Sequence, residues 1–100
     1  GEKTEAIRER VVQARDRAIT RQGSSNQALE GQAIDEQCRL DTASAKFLNT
    51  AAARLGWSGR SIHRCLKVAR TIADLAGAET VQVTHVAEAV QYRRSLKATN

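Results

Sequence analysis

Three groups of residues in this chain could carry chemistry: an arginine opening a long helical pattern, two histidines with two cysteines, and eleven scattered carboxylates. The arginine is the most informative. Trp57-Ser58-Gly59-Arg60-Ser61-Ile62 precedes an apolar repeat that continues to Leu75. Ser58 is a favoured N-cap, able to accept a hydrogen bond from the free N–H of Arg60 or Ser61. Trp57 before the cap and Ile62 in the fourth helical position have the spacing of a hydrophobic staple, which fixes the angle of entry. Arg60 therefore projects from a helix end with unpaired N–H groups and roughly half a positive charge, a combination that attracts anions. Its planar fork of donors matches phosphate oxygens in pairs. Taken alone, the pattern fits an ordinary exposed arginine as well as a phosphate-binding one, and both readings stay open at this point.

The other two groups predict no catalysis. His63 and Cys65 stand two apart on one helix and point in different directions, while His85 is distant, so no metal site is expected. The carboxylates are interleaved with basic residues and form no acid–base pair. Neither a Gly-x-x-x-x-Gly-Lys-Ser/Thr loop, a Gly-x-Gly-x-x-Gly turn nor a Gly-x-Ser-x-Gly elbow occurs. The chain alone is therefore not expected to be an enzyme or to bind a cofactor by itself.

The elements that must position Arg60 follow from composition and periodicity. One hundred residues suit a single small domain over 1–100. Proline is absent, and alanine, arginine and glutamine are abundant, which is a helical composition. No apolar run approaches the roughly 20 residues of a membrane span, and the polar N-terminus does not read as a signal peptide. A soluble, cytoplasmic protein without a membrane partner is expected. Cys38 and Cys65 fall inside apolar helical patterns and are expected as free buried thiols. The net charge of +5 favours polyanionic partners, leaving nucleic acid and nucleotide both open.

Five helical segments are predicted, giving an all-α bundle of four to five helices. Thr4 caps the first, whose Ile7, Val11, Ala14 and Ala18 form a core stripe, widened by Val12 and Ile19, as far as about Arg21. Arg8, Arg10, Arg15, Arg17 and Arg21 alternate with Glu5, Glu9 and Asp16 on a face expected to be solvated. Gly23-Ser24-Ser25-Asn26 ends this helix, and a loop follows to Gly31. A short helix over Gln32–Arg39 is anchored by Ile34 and Cys38. Asp41 caps a third helix, carrying Phe47, Leu48, Ala51, Ala52 and Leu55, which Gly56 stops. The fourth helix, from Ser58 to Gly77, holds apolar residues over half its circumference. Arg60, Arg64, Lys67 and Asp74 are expected on its polar face, with His63 and Arg70 at the edge. Val81-Gln82-Val83 is read as extended or loop, Thr84 as the cap of a fifth helix to about Arg94, and residues 95–100 as a frayed tail.

The residues that carry a family resemblance are now in view. Ser58-Gly59-Arg60 through Leu75, with Val68-Ala69-Arg70-Thr71-Ile72-Ala73-Asp74-Leu75, resembles the C-terminal helical domain of magnesium-chelatase-like AAA+ ATPases, and is most similar to their ComM/YifB branch. Arg10-Val11, Ala14-Arg15, Cys38 with Leu40-Asp41, and Glu88-Ala89-Val90-Gln91-Tyr92-Arg93-Arg94 extend the likeness over nearly the whole chain. Gly59 departs from an expected alanine, and Trp57 from a more usual aliphatic residue.

The resemblance implies a lid domain following an ATPase core, with Arg60 as the sensor-2 arginine that touches the γ-phosphate of ATP held by the core of the same subunit or of its ring neighbour. Ser58 as the cap and Arg64 one turn on would complete the lid's side of the site. It also implies ATP and Mg²⁺ as cofactors of the larger protein, the core and neighbouring subunits as partners, and a hexameric DNA motor driving branch migration in natural transformation. The alternative from a different class is a free-standing basic helix-turn-helix DNA-binding domain, formed by the third and fourth helices around Gly56-Trp57-Ser58.

Overall fold

The computed structural model describes residues 2–98 of the chain. Five α-helices follow in order: α1 (Glu2–Gln22), α2 (Gln32–Gln37), α3 (Thr42–Leu55), α4 (Gly59–Leu75) and α5 (Val83–Ala98), with a 3-10 turn at Asn26–Ala28 between the first two. The all-α expectation holds. An isolated parallel bridge between Leu40 and Val81 ties the segment before α3 to the segment before α5.

Local chemistry sets most of the boundaries. The Asp41 carboxylate accepts the Ser44 N–H at 2.7 Å, capping α3, and that hydrogen bond holds Asp41 below the ordinary carboxylate range. Gly56 adopts a left-handed conformation with φ 66° at the end of α3. The Trp57 N–H then returns to the Ala52 carbonyl at 3.0 Å, so Trp57 enters the next helix at a fixed angle. The end of α4 repeats the device: Gly77 has φ 73°, and the Ala78 N–H bonds the Ala73 carbonyl at 2.9 Å.

Four boundaries depart from the sequence expectation. Helix α1 already runs from Glu2, so Thr4 lies inside it and is not its cap. Helix α5 starts at Val83 rather than after Thr84, because the His85 side chain folds back and its Nδ1 accepts the Gln82 N–H at 3.0 Å. Helix α5 also continues to Ala98, beyond Arg94, while residues 99 and 100 of the expected tail lie outside the described residues. Helix α2 stops at Gln37, two residues early.

Helix α4 is the axis of the domain. It packs against α1, α2, α5 and the 3-10 turn, while α3 packs on α5. Cys65, Leu66, Ala69 and Ala73 of α4 meet Val86, Ala89 and Val90 of α5, Leu48 of α3, and Ile34 and Cys38 at α2 in one buried cluster. Burial pushes both thiols up to about 11, partly opposed by Arg70 at Cys38 and by Arg93 at Cys65. Both cysteines are free, as expected.

The attachment of α1 differs from expectation. Only Ala14 and Ala18 of the predicted stripe are buried; Ile7 and Val11 are about half exposed, at 56% and 52%. Two alanines let the backbones approach closely but bury little area. Polar bonds supply what the apolar stripe does not. Asp74, expected on the polar face of α4, and Arg70, expected at its edge, are 1% and 4% exposed. Asp74 Oδ1 accepts Arg21 Nη1 and Arg70 Nη2, each at 2.9 Å. Its Oδ2 accepts Asn26 Nδ2 at 2.8 Å and Arg21 Nη2 at 3.2 Å. Arg17 Nη1 reaches the Asp74 carbonyl at 3.0 Å. Arg17 and Arg21 therefore do not belong to a merely solvated face, and Arg70 also donates to the Ala78 and Glu79 carbonyls beyond the helix. Burial acts to raise the Asp74 carboxyl, but the bonds from Arg21 and Asn26 and the charges of Arg70 and Arg21 outweigh it and hold it below the ordinary 3.8.

Two outcomes follow from this packing. Leu66→Ala removes a buried side chain from the centre of the cluster and should cost about 2–5 kcal/mol in chemical denaturation. Asp74→Asn leaves Arg70 buried without its counter-charge and should cost about 3–5 kcal/mol at neutral pH. Because the folded carboxyl titrates below the unfolded one, the Asp74 contribution is fully present above the unfolded pKa and lost as pH falls through the folded value. Stability measured from pH 7 downward should therefore drop below about pH 4, and the Asn variant should lack that component.

Candidate phosphate-facing site at the start of α4

Ser58 has extended backbone geometry, φ −77° and ψ 167°, and its Oγ accepts the Ser61 N–H at 3.3 Å. The Ser58 carbonyl accepts the Ile62 N–H at 3.0 Å. The cap thus satisfies the third and fourth N–H groups of the helix, while those of Gly59 and Arg60 remain for an external acceptor. Trp57 and Ile62 are partly buried and packed on the same core cluster, consistent with the staple.

Arg60 and Arg64 are both exposed, one helical turn apart on the same side of α4. Among the described residues neither makes a hydrogen bond or ion pair, so both forks are available to an anion from outside the chain. This contrasts with Arg70, whose two terminal nitrogens are both engaged in holding the fold. The predicted site residues Ser58, Arg60 and Arg64 are therefore brought together at one helix end. Nothing lies within 4 Å of the place a Cβ on Gly59 would occupy, so the glycine is not demanded by crowding.

A further arginine completes the geometry, and sequence reading gave it no role. Arg93, from α5, donates through Nη2 to Ser61 Oγ at 3.1 Å, and its guanidinium carbon lies 5.6 Å from the centre of the Trp57 ring. It clamps the cap segment to α5 from both sides of Ser58. No local pattern could have revealed this, because the partners are more than thirty positions apart and meet only through the packing of α4 on α5.

The remaining candidates fall elsewhere. His63 Nε2 faces the Asp35 carboxylate at 3.4 Å, across to α2, and His85 is consumed in starting α5. Among the described residues, no three His, Cys, Asp or Glu side chains converge as a metal site. Nor is any helix among them long and apolar enough to cross a membrane.

The chain matches the family model described as magnesium chelatase, subunit ChlI C-terminal, over residues 1–93. It belongs to that family. It is 40% identical to the competence protein ComM of Haemophilus influenzae, an alignment that takes in 97% of this chain and 19% of the relative. It is 41% identical to YifB of Salmonella typhimurium over 93% of the chain and 18% of that protein. The YifB protein of Escherichia coli is similar at 39% identity, with 93% and 18% covered. The chain thus spans about a fifth of the length of the curated relatives it matches. It is a C-terminal domain of the chelatase-like type, and its all-α fold with a central α4 is the architecture that carries Arg60.

In this chelatase-type domain, Trp57 is the single tryptophan, so its emission reports on the clamp directly. Arg93→Ala should red-shift that emission by admitting water to the ring and should cost about 0.5–1 kcal/mol. An unchanged emission maximum would detach Arg93 from the cap.

Proposed function

We propose that the domain is the lid of a magnesium-chelatase-like AAA+ ATPase and that Arg60 is its sensor-2 arginine. The observation that supports this reading most is the pairing of a rigid mount with an uncommitted charge. The α4 start is capped by Ser58 and clamped by Arg93, while the Arg60 guanidinium has no hydrogen-bond or ion-pair partner among the described residues. A phosphate oxygen suits this end, since a helix N-terminus with two uncapped N–H groups and a permanent planar cation in its first turn both favour an anion. A whole nucleotide requires more than one helix end, so the core of the larger polypeptide would hold ATP and Mg²⁺. When bound, ATP supplies a γ-phosphoryl group whose charge grows during transfer. Arg60 stabilises that charge, and Arg64 adds a second positive group one turn behind. Loss of the γ-phosphate removes the lid's electrostatic tie to the core, which makes the domain a reporter of nucleotide state.

The name of the Haemophilus relative links that protein to competence. On this basis we assign the larger protein, working in the cytoplasm, to a hexameric DNA-remodelling role in transformation or recombination, with neighbouring subunits and DNA as partners. The helix-turn-helix alternative fits the packing less well. A reading helix must lay a broad face in the groove, whereas α4 is surrounded by four elements.

In the full-length ATPase, Arg60→Ala should lower ATP turnover on the order of 10²-fold, the scale set by removal of one charge-stabilising donor. The melting temperature of the isolated domain should not change, because the side chain is exposed and makes no hydrogen bond or ion pair among the described residues. Arg60→Lys should recover only part of the activity, as a point charge cannot reproduce the fork. Wild-type turnover in the alanine variant would overturn the assignment.

A further inference from the structure

The first turn of α4 is held only weakly by its own sequence. Ser58 Oγ accepts the Ser61 N–H at 3.3 Å and donates to Ser61 Oγ at 3.4 Å, both long for hydrogen bonds and both exposed to water. Gly59, in the first helical position, adds backbone freedom that an alanine would not. Arg60 follows it and is exposed. Helix ends held in this way fray, and a frayed turn carries its side chains with it.

The firmer hold comes from α5. Ser61 and Cys65 lie one turn apart on the same side of α4, with Trp57 four residues before them. Arg93 acts on all three: its Nη2 donates to Ser61 Oγ at 3.1 Å, its guanidinium carbon stands 5.6 Å from the centre of the Trp57 ring, and its charge opposes the effect of burial at Cys65. Among the described residues, no other side chain from outside the cap and α4 hydrogen-bonds to residues 58–62. Arg60 and Arg64 lie about 100° around the helix from Ser61 and Cys65, at nearly the same heights. The stripe that Arg93 grips therefore adjoins the stripe that carries the free guanidinium groups. Fixing the first sets the direction of the second. The Ser58 cap cannot do this alone, because it satisfies an N–H group of its own helix without tying the turn to the rest of the domain.

We propose that Arg93 is a positioning residue for Arg60: it holds the first turn of α4 against α5, so that the Arg60 fork is presented in one direction, and does not itself touch the phosphate. The proposal rests on the assignment of Arg60 under the proposed function. A donor fixed in advance stabilises developing charge without first having to be reorganised. Misplacing such a group by about 1 Å can cost on the order of 10²-fold in rate. Arg93 suits the task because one planar fork can lie against an aromatic ring and donate to a hydroxyl together, and it stays charged while doing so.

Two measurements test the role. In the 100-residue chain, backbone order parameters of Arg60 and Ser61 from nitrogen relaxation should fall from about 0.85 toward about 0.6 in Arg93→Ala, while Ala69 and Ala73 keep the rigid value. In the full-length ATPase at saturating ATP, Arg93→Ala should lower turnover by roughly 10- to 10²-fold, and by no more than Arg60→Ala does. Added to Arg60→Ala, it should change turnover less than about twofold, since there is no longer a fork to aim. Ser61→Ala removes the acceptor, keeps the Arg93 charge, and should show the same pattern with smaller amplitude. A general loss of stability, or a direct contact of Arg93 with the phosphate, would instead lower turnover by the same factor in both backgrounds and so overturn the inference. Wild-type turnover in Arg93→Ala beside an impaired Arg60→Ala would overturn it too, and leave the Arg60 assignment standing. Unchanged order parameters at Arg60 and Ser61 would overturn it whatever the turnover. Wild-type turnover in Arg60→Ala would overturn the assignment, and this inference with it.

Discussion

The buried Asp74 carboxylate is the interaction on which the arrangement of the domain depends. Four donors, two of them from Arg21 and one each from Arg70 and Asn26, use the acceptor capacity of its two oxygens. These donors come from the end of α1, the 3-10 turn and α4 itself. Arg70 carries the network onward to the carbonyls of Ala78 and Glu79, and so to the connection that leads into α5. A single anion thereby fixes where four segments meet. A buried ion pair is a poor source of net stability when compared with well-packed apolar side chains. Its value here is directional: it tells α1, which offers only Ala14 and Ala18 to the interior, where along α4 to lie.

That constraint divides the labour along α4. Its C-terminal end is held by charge, its middle by the apolar contact of Cys65, Leu66 and Ala69 with α5, and its N-terminal end by the Ser58 cap and the Arg93 clamp. Each arginine near the helix has a distinct task because its surroundings differ. Arg70 is enclosed and saturated except at Nε, Arg93 is shared between an aromatic face and a hydroxyl, and Arg60 and Arg64 project into solvent. Since guanidinium groups remain charged in all of these settings, position and not protonation separates structural from recognition roles.

What could be read from the sequence follows the range of the interaction involved. Caps and stops were legible because they act within four residues: Asp41 and Ser58 start α3 and α4, and Gly56 and Gly77 end them, as their side chains or lack of one require. The apolar arc of α4 was legible for the same reason, as was the position of Arg60 at a helix start. The burial of Arg70 and Asp74 was not. Periodicity places Asp74 on the polar face and Arg70 at its edge, and only the arrival of α1 and the 3-10 turn makes that side interior. A signal was present in the i, i+4 spacing of Arg70 and Asp74, with surplus arginines in the last turns of α1, but its meaning needed a partner 53 residues away. The Ile7 and Val11 error has the opposite cause. A continuous stripe on α1 suggested continuous burial, whereas the body of the domain ends near Ala14.

The mismatch between the length of α1 and the body it rests on has a physical consequence for stability. An α-helix that leaves Ile7 and Val11 half exposed retains apolar surface that its own domain cannot cover. At the other end of the chain's packing order, the α3–α5 groove retains apolar surface of its own. A core of modest size would ordinarily use such side chains to gain stability, and leaving them uncovered weakens the isolated domain. Charges of both signs, Arg8, Glu9, Arg15 and Asp16, border Val12 and Ile19, whereas Lys46, Arg54 and Arg94 line the groove beside Phe47, and neither surface includes Arg60. The charge state of Asp74 bears on the first of these surfaces, because it fixes the angle at which α1 presents its outer side.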